Sequence, residues 1–329
     1  MKETFKCYRV FETESGVETR IVEMGFDDLP EGEVLVKVSY SALNYKDALS
    51  ASGHKGITKQ YPHTPGIDAS GVVVESTSAE WSKGDEVIVT SYDLGMNTHG
   101  GFSEYIRVPA EWVVGLPSGM DLKQAMVLGT AGLTAGISLR QMEKMGQNPA
   151  MGPVLVTGST GGVGSMALQI LQSAGYEVMA STGSQEKKEL LIEQGVKEVF
   201  DRAFLQEDSK RPLHKPLWAG AIDTVGGITL AEVIKRTGWN GSIAVCGLVE
   251  SPNFATTVYP FLLNGLNLLG VESATYPKAE RKMVWDKLSG EWQPNLNKVV
   301  IKEIGLQELD ENIGLMLQGK TFGKVVVKL

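Results

Sequence analysis

The chain has 329 residues, 42% of them hydrophobic and 21% charged, and its formal net charge at pH 7 is −8. This composition is typical of a folded globular protein with room for two domains, and the negative charge argues against a nucleic-acid partner, which would require a basic face. The two cysteines, Cys7 and Cys246, exclude a disulfide framework and a cysteine-built metal site and favour a reducing cytoplasm. No apolar run is long enough to cross a membrane.

The N-terminal part of the chain predicts an antiparallel β-rich domain. At residues 34–38, valines alternate with other side chains, which is the period of a strand. Further strands are predicted at 72–75, 86–90 and 104–108. From Asp121 onward, helix-forming residues recur at helical spacing, with breaks near Gly129 and Gly132. A second domain therefore begins in this region.

A glycine-rich segment, residues 156–164 (VTGSTGGVG), follows a short apolar run and precedes apolar residues at helical spacing. The pattern predicts a strand at 154–157, a tight turn and a helix. Gly158, Gly161 and Gly164 recur every third residue, a variant of the dinucleotide fingerprint in which backbone N–H groups at a helix N-terminus bind a pyrophosphate. The residues that we expect to contact the cofactor here are Thr160, Gly161, Gly162 and Val163.

Beyond the glycine turn, strand and helix patterns alternate, as is typical of a doubly wound parallel sheet. The predicted strands are 177–181, 198–200, 221–224, 242–246 and 266–271, and the predicted helices are 185–194, 228–237 and 278–288. A closing strand at 323–329 returns to the first domain. The predicted division is 1–123 with 295–329 for the β-rich domain and 124–294 for the dinucleotide-binding domain.

The end of the second strand of this sheet indicates which nicotinamide cofactor binds. Folds that bind NAD usually carry a carboxylate there for the ribose 2′-hydroxyl, and this chain has none. Arg202 is favoured over Lys187 and Lys188 as the cation for a 2′-phosphate, because its planar fork matches a phosphate group. The residues expected around that phosphate are Thr182, Gly183, Ser184 and Arg202. The predicted cofactor is therefore NADPH.

Six segments spread over nearly the whole chain carry a family resemblance. They are residues 43–49 (LNYKDAL), 65–71 (PGIDASG), 129–132 (GTAG), 156–164 (VTGSTGGVG), 218–226 (WAGAIDTVG) and 246–248 (CGL). The chain resembles the zinc-free, quinone oxidoreductase branch of the medium-chain dehydrogenases/reductases, and within it the quinone oxidoreductase and acrylyl-CoA reductase subfamily. The resemblance implies an α/β fold with a chaperonin-10-like (GroES-like) β-barrel catalytic domain, a Rossmann domain with a doubly wound parallel sheet, and an active cleft between them.

The resemblance also implies chemistry without a metal. Zinc-dependent relatives hold the catalytic metal with a cysteine, a histidine and a further cysteine or aspartate, and the matching positions here are Asn44, Ile67 and Thr130. Isoleucine has no ligand atom, and the four histidines lack paired ligand spacing. Without a Lewis acid, the hydride acceptor must itself be electrophilic, as in an alkene conjugated to a carbonyl or a quinone.

The catalytic residues implied by the resemblance lie in the segment 43–49 and beside it. Tyr45 is implied as the donor that faces the nicotinamide, with Asp47 and Asp68 bracing its loop through hydrogen bonds. A carboxylate beside the incoming hydride would repel developing negative charge, so we expect a supporting role for both acids. Besides Tyr45, the residues implied at the nicotinamide and its flanks are Thr130, Leu248 and Ser273.

Two substrate classes fit this chemistry, and the resemblance favours the first. A short enoyl thioester such as acryloyl-CoA would use a basic mouth, for which the candidates are Lys55, Lys59, Arg281 and Lys282. A quinone or small enone would instead need an apolar slot. A non-catalytic NADPH-binding protein is a third alternative. Residues 267–273 predict an edge strand, and the family branch commonly dimerises through such edges, so a homodimer is expected.

Overall fold

The computed structural model describes residues 3–207 and 209–329, and the chain divides into two compact units. The first comprises Met1–Ala131, Ser273–Ser289 and Val300–Leu329, and the second Gly132–Glu272 and Gly290–Val299. This division differs from the predicted one at residues 124–131 and 295–299, and most of all at residues 273–289, which were predicted in the second domain. The reason is a long-range contact, because the buried side chain of Arg281 donates hydrogen bonds to Thr90 of the first unit.

In chain order the strands are β1 (Thr4–Thr13), β2 (Gly16–Gly25), β3 (Val34–Leu43), β4 (Asp68–Ser76), β5 (Glu86–Thr90), β6 (Tyr105–Val108), β7 (Val113–Gly115), β8 (Val154–Thr157), β9 (Val178–Thr182), β10 (Glu198–Asp201), β11 (Trp218–Asp223), β12 (Thr237–Val245), β13 (Asn267–Gly270), β14 (Ile301–Ile304) and β15 (Lys324–Lys328). The helices are α1 (Tyr45–Ala51), α2 (Leu122–Lys144), α3 (Gly162–Ser173), α4 (Lys188–Glu193), α5 (Gly227–Arg236), α6 (Tyr259–Asn264), α7 (Lys278–Leu288) and α8 (Leu309–Leu317). Within the described residues, no helix is both long and apolar enough to span a bilayer.

The first unit is built on a sheet with strand order β14-β15-β3-β4-β5-β7, to which β6 adds by pairing with β3. All of its strand pairs are antiparallel except β14 with β15. The predicted closing strand is confirmed as β15, which pairs with β3. Inward-facing valines of β3 and β5 and Ile106 form one core cluster of this unit. The predicted β-rich character of this region is therefore correct.

Helix α2 begins in the predicted place and is interrupted at Gly129, where φ is 50°. The predicted break at Gly132 is wrong, because this residue continues the helix. A Cβ at position 129 would lie 2.5 Å from Oδ2 of Asp68, so only glycine fits there. The interruption therefore follows from a close approach between the helix and a buried carboxylate.

The second unit contains a parallel sheet with strand order β10-β9-β8-β11-β12-β13. In order of appearance this is 3-2-1-4-5-6, the doubly wound order of Rossmann folds. The predicted helix at 185–194 is a short 3-10 turn followed by α4, and β12 begins five residues earlier than predicted, at Thr237. Two glycines and Asn240, which has a φ of 55°, give this part of β12 a weak strand signal.

Candidate functional site

Asp47 fastens the start of α1 to the segment that precedes β4. Its Oδ2 accepts the backbone N–H of Asn44 at 2.8 Å, and its Oδ1 accepts those of Gly66 and Ile67 at 3.1 and 2.8 Å. The side chain is fully buried. Asp47 therefore ties the backbone just before Tyr45 to the segment that precedes β4, and its contribution to a reaction stays a prediction.

Asp68 joins Asn44 and Thr130, two of the three positions that the resemblance matches to the metal ligands of zinc-dependent relatives. Its Oδ2 accepts from Nδ2 of Asn44 at 2.8 Å, and its Oδ1 accepts from the Thr130 hydroxyl at 2.6 Å. The backbone N–H of Thr130 also donates to this carboxylate, at 2.9 Å to Oδ2. Ile67 is buried and apolar. The hydrogen bonds of Asn44 and Thr130 are thus directed to a carboxylate within the first unit.

Lys324, at the start of β15, is a buried cation near this pair of acids, and the sequence analysis did not single it out. The strand register pairs Val325 with Leu43, which places Lys324 beside Asn44. Its side chain is 3% exposed, and burial lowers its pKa, while the charges of Asp68 and Asp47 oppose that shift. The first unit therefore encloses one lysine and two aspartates at the candidate site.

Burial is the main reason why the pKa of Asp47 is raised to about 7, and the charge of Asp68 adds to the effect. The ordinary pKa of an unfolded aspartate is about 3.9, so the folded state binds the proton more tightly. The stability that this proton contributes is complete below about pH 4 and is lost as the pH rises towards 7, by at most about 1.4 kcal/mol per pH unit.

Urea unfolding of the wild type and of Asp47→Asn between pH 4 and 8 tests this pH dependence. The difference in unfolding free energy, wild type minus variant, should fall from pH 4 to about 7 and then level off. Titrating groups that do not interact with Asp47 are common to both proteins and cancel in this difference. Parallel curves for the two proteins would contradict the raised pKa.

Tyr45 is the first residue of α1, and 57% of it is exposed. Tyr45 is therefore not packed into the core of the first unit. An exposed phenol held by a rigid helix start can donate a hydrogen bond to a ligand. The placement is compatible with the predicted contact to the nicotinamide and substrate, which stays a prediction.

The glycine turn of the second unit has the close approaches that the sequence predicts. A Cβ at Gly164 would overlap the carbonyl oxygen of Gly158 and lie 2.8 Å from the Cα of Ser159. Gly158 has a φ of 59°, and a Cβ there would overlap the Thr224 hydroxyl. Helix α3 begins at Gly162, so its first N–H groups lie at the carboxyl end of the parallel sheet. This cradle fits a pyrophosphate.

Most of the residues predicted to contact the dinucleotide lie together at the carboxyl ends of the parallel strands. β8, β9 and β10 are parallel neighbours, so their carboxyl ends bring the glycine turn, residues 182–184 and Arg202 to the same edge. A Cβ at Gly183 would lie 2.8 Å from the guanidinium carbon of Arg202, so the glycine lets this side chain cover the backbone. The Thr160 and Thr182 hydroxyls are 3.3 Å apart.

Two findings were not predicted: a hydrogen bond of Ser184, and the placement of Thr130 and Ser273 in the first unit. The Ser184 hydroxyl donates to the Glu186 carboxylate at 2.9 Å, which places an exposed acid beside the expected phosphate position. Leu248 follows β12 and is 64% exposed in the second unit, whereas Ser273 and Thr130 belong to the first unit. The predicted residues are therefore divided between the two units.

The prediction that Arg281 belongs to a basic entrance for a CoA substrate is wrong. This side chain is fully buried, so it cannot present its charge to a substrate at the surface. Lys55 pairs with Glu12 at 2.6 Å and Lys282 with Asp286 at 2.7 Å. The burial of Arg281 depends on contacts with a strand that is far away in the chain. The periodicity of the sequence around Arg281 therefore could not reveal it.

The histidines of the first unit show no arrangement for a metal. His63 is buried with Nε2 2.8 Å from the carbonyl oxygen of Gly95, and burial lowers the pKa of His99 to about 3. Across residues 3–207 and 209–329, no group of three or more histidine, cysteine, aspartate or glutamate side chains is placed to hold a metal ion.

Comparison with known proteins is in keeping with this fold and site. Residues 30–118 match the alcohol dehydrogenase GroES-like domain family, and residues 162–289 match the zinc-binding dehydrogenase family. The "Putative quinone oxidoreductase YhfP" of Bacillus subtilis is 41% identical over 330 residues, covering 100% of both chains. The acrylyl-CoA reductase AcuI of Ruegeria pomeroyi is 40% identical, covering 95% of this chain and 96% of its own.

Solved structures agree with the sequence matches. The structure of Bacillus subtilis YhfP with NAD bound has a TM-score of 0.96 and covers 99% of both chains at 41% identity. The yhdH oxidoreductase of Salmonella enterica in complex with NADP has a TM-score of 0.94 at 35% identity, covering 98% of this chain and 99% of its own. Fold and site thus define an alcohol-dehydrogenase-like oxidoreductase. The chain belongs to the medium-chain dehydrogenase/reductase family, in its quinone oxidoreductase and acrylyl-CoA reductase subfamily.

Proposed function

We propose that the chain is an NADPH-dependent reductase of an activated carbon–carbon double bond, with a short enoyl-CoA such as acryloyl-CoA as substrate. The observation that carries the proposal is the 40% identity, over 95% of the chain, to a protein named acrylyl-CoA reductase. A second relative of that name, from Escherichia coli, is 39% identical over 92% of the chain. Quinone reduction is the second candidate, favoured by the 41% identity to a relative named for that activity.

The side chains of Asn44, Ile67 and Thr130 support a reaction that needs no metal. Ile67 has no atom that can ligate zinc. Asn44 and Thr130 both donate hydrogen bonds to the Asp68 carboxylate. Their side chains are therefore engaged with a protein group. An acceptor that is already electrophilic is compatible with this arrangement.

Each residue of the candidate site has a separate task in the proposed reaction. NADPH supplies the hydride when it is bound. Tyr45 donates a hydrogen bond to the substrate oxygen on which negative charge develops. Asp47 and Asp68 keep the Tyr45 helix start and the Thr130 backbone in fixed positions through buried hydrogen bonds. Their carboxyl oxygens are already directed to these donors.

The preference for NADPH rests on Arg202 and on the absence of an acid at the end of β9. Replacing Arg202 by glutamine should weaken NADPH binding by about 10- to 100-fold and leave NADH binding within about twofold, because only NADPH has the 2′-phosphate. Lys197→Gln, which removes a charge at the other end of β10, is the matched control. Isothermal titration with both cofactors measures the effect, and equal losses for NADPH and NADH would contradict the assignment.

Steady-state rates of NADPH oxidation with acryloyl-CoA and with 1,4-benzoquinone distinguish the two substrate classes. We expect a higher kcat/KM for acryloyl-CoA, and Tyr45→Phe should lower that value by about 10- to 100-fold through loss of one hydrogen bond. A clear preference for benzoquinone would replace the first candidate by the second. NADPH binding without turnover of either acceptor would favour the non-catalytic alternative.

We also propose a homodimer formed through the edge strand β13. β13 is the last strand of the parallel sheet, and Leu268 on it is partly exposed. The preceding helix α6 exposes Leu262 and Leu263, 75% and 62% respectively. Within residues 3–207 and 209–329 no further strand pairs with β13, and an open strand edge beside exposed apolar side chains favours pairing with a second copy. Sedimentation velocity at micromolar concentration should show a dimer, and a monomer at that concentration would contradict the proposal.

A further inference from the structure

We propose that Arg281 is a positioning residue for the candidate site: it holds the Ser91–Tyr92 turn so that the Ser91 hydroxyl supports Thr130 and, through it, Asp68. This inference rests on the proposed function for its link to the reaction. Its structural part stands on contacts within the first unit.

The guanidinium of Arg281 connects two chain segments that are far apart in sequence. One terminal nitrogen donates to the carbonyl and the hydroxyl of Thr90, both at 2.8 Å. The other donates to the carbonyls of Ser273 and Ala274, both at 3.0 Å, and Nε donates to that of Tyr276 at 3.4 Å. Arginine is the only side chain with a planar fork of donors that can reach all of these acceptors together.

The turn that follows Thr90 has an unfavourable backbone conformation. Ser91 and Tyr92 have φ values of 60° and 50°, in the region that favours glycine. Such residues persist where the surrounding structure determines their conformation, and they are concentrated at functional sites. The Arg281 guanidinium lies over the Tyr92 ring, 4.4 Å from its centroid, and the Trp112 ring stacks on Tyr92 with 5.5 Å between ring centroids. The Tyr92 N–H donates to the Ala274 carbonyl at 2.8 Å.

The direction of the hydrogen bonds links this turn to the candidate site. The Thr130 hydroxyl donates to Asp68, so it accepts from the Ser91 hydroxyl, 2.8 Å away. Ser91 is also fixed through its N–H, which donates to the Ile67 carbonyl at 2.7 Å. Moving the turn would therefore disturb the orientation of Thr130 and the hydrogen bonds that Asp68 accepts.

Arg281→Lys keeps the positive charge and removes the fork, so it is the variant that tests the inference. We expect kcat of the folded enzyme to fall by about 10- to 100-fold, with the NADPH dissociation constant within about twofold of the wild type. Ser91→Ala should lower kcat by about tenfold, and the double variant should be no slower than Arg281→Lys alone, because both changes act through the same contact. Arg236→Lys is the matched control, since Arg236 is a buried arginine of the second unit that pairs with Glu232 and Glu207.

Amide hydrogen exchange provides a readout that does not depend on turnover. In Arg281→Lys, peptides containing residues 90–92 and 129–131 should exchange faster, whereas in Arg236→Lys they should match the wild type. If exchange is unchanged, or if the effects of Arg281→Lys and Ser91→Ala on kcat multiply, the inference is wrong. If the wild type reduces neither substrate class, the proposed function fails, and the exchange result alone decides whether Arg281 positions Thr130.

Discussion

Replacing Asp68 by asparagine is expected to lower the free energy of unfolding by about 3 kcal/mol and the reductase activity of the folded protein by about 100-fold. Both oxygens of this buried carboxylate accept hydrogen bonds, from Nδ2 of Asn44 and from the hydroxyl and N–H of Thr130. In the variant, one oxygen becomes an NH₂ group that faces donors, so at least one of these groups loses its partner. Urea unfolding and kcat measure the two effects.

Asp85→Asn is the control for the loss of an aspartate charge. Asp85 accepts the N–H of Ser82 at 2.8 Å in an exposed turn, so its replacement should change stability by less than about 1 kcal/mol and leave kcat unaltered. A variant of Asp68 with wild-type kcat would show that the hydrogen bonds between Asn44, Asp68 and Thr130 have no part in the reaction.

The second large effect is expected at the glycine turn. Gly164→Ala should weaken NADPH binding by about 100-fold and lower the unfolding free energy by about 2 kcal/mol, because the new methyl group overlaps backbone atoms of Gly158. Relief of that overlap moves the N-terminus of α3 away from the turn, and its N–H groups lose their direction towards a pyrophosphate. Fluorescence titration with NADPH and thermal unfolding measure the change.

Gly314→Ala provides the matched control for adding one methyl group. Gly314 lies in α8, and a Cβ there meets no atom within 4 Å. Alanine should therefore stabilise the helix by about 1 kcal/mol and leave NADPH binding unchanged. If Gly164→Ala bound NADPH as tightly as Gly314→Ala, the glycine turn would not be the phosphate cradle.

Local periodicity was sufficient to predict much of the fold. The bounds of β5, β8 and α7 agree with the predicted ranges, because each is a run whose pattern is set by its own residues. The alternation of strand and helix predicted the doubly wound parallel sheet of the second unit, whereas its strand order was observed only in the structure. The early start of β12 was missed because its first residues include glycines and an asparagine with positive φ, which are poor strand formers.

The sequence could suggest which residues belong to the site, and the contacts among them required the structure. Asp68 and Thr130 are 62 positions apart, and their hydrogen bonds depend on the interruption of α2 at Gly129. Lys324 and Arg281 have the sequence features of surface cations, yet strand pairing buries the first and long-range backbone contacts bury the second. Such long-range packing determines whether a charged residue is buried, and a local sequence pattern cannot predict it.

Transfer of deuterium from NADPH labelled at both C4 positions to acryloyl-CoA is the most direct test of the proposed reaction. Mass spectrometry of the acyl product should find propionyl-CoA with a single deuterium, on the carbon that was the terminal alkene carbon of the substrate. Oxidation of the labelled NADPH without deuterium in the acyl product, or an acyl-CoA pool that stays unreduced, would contradict hydride transfer to a conjugated double bond.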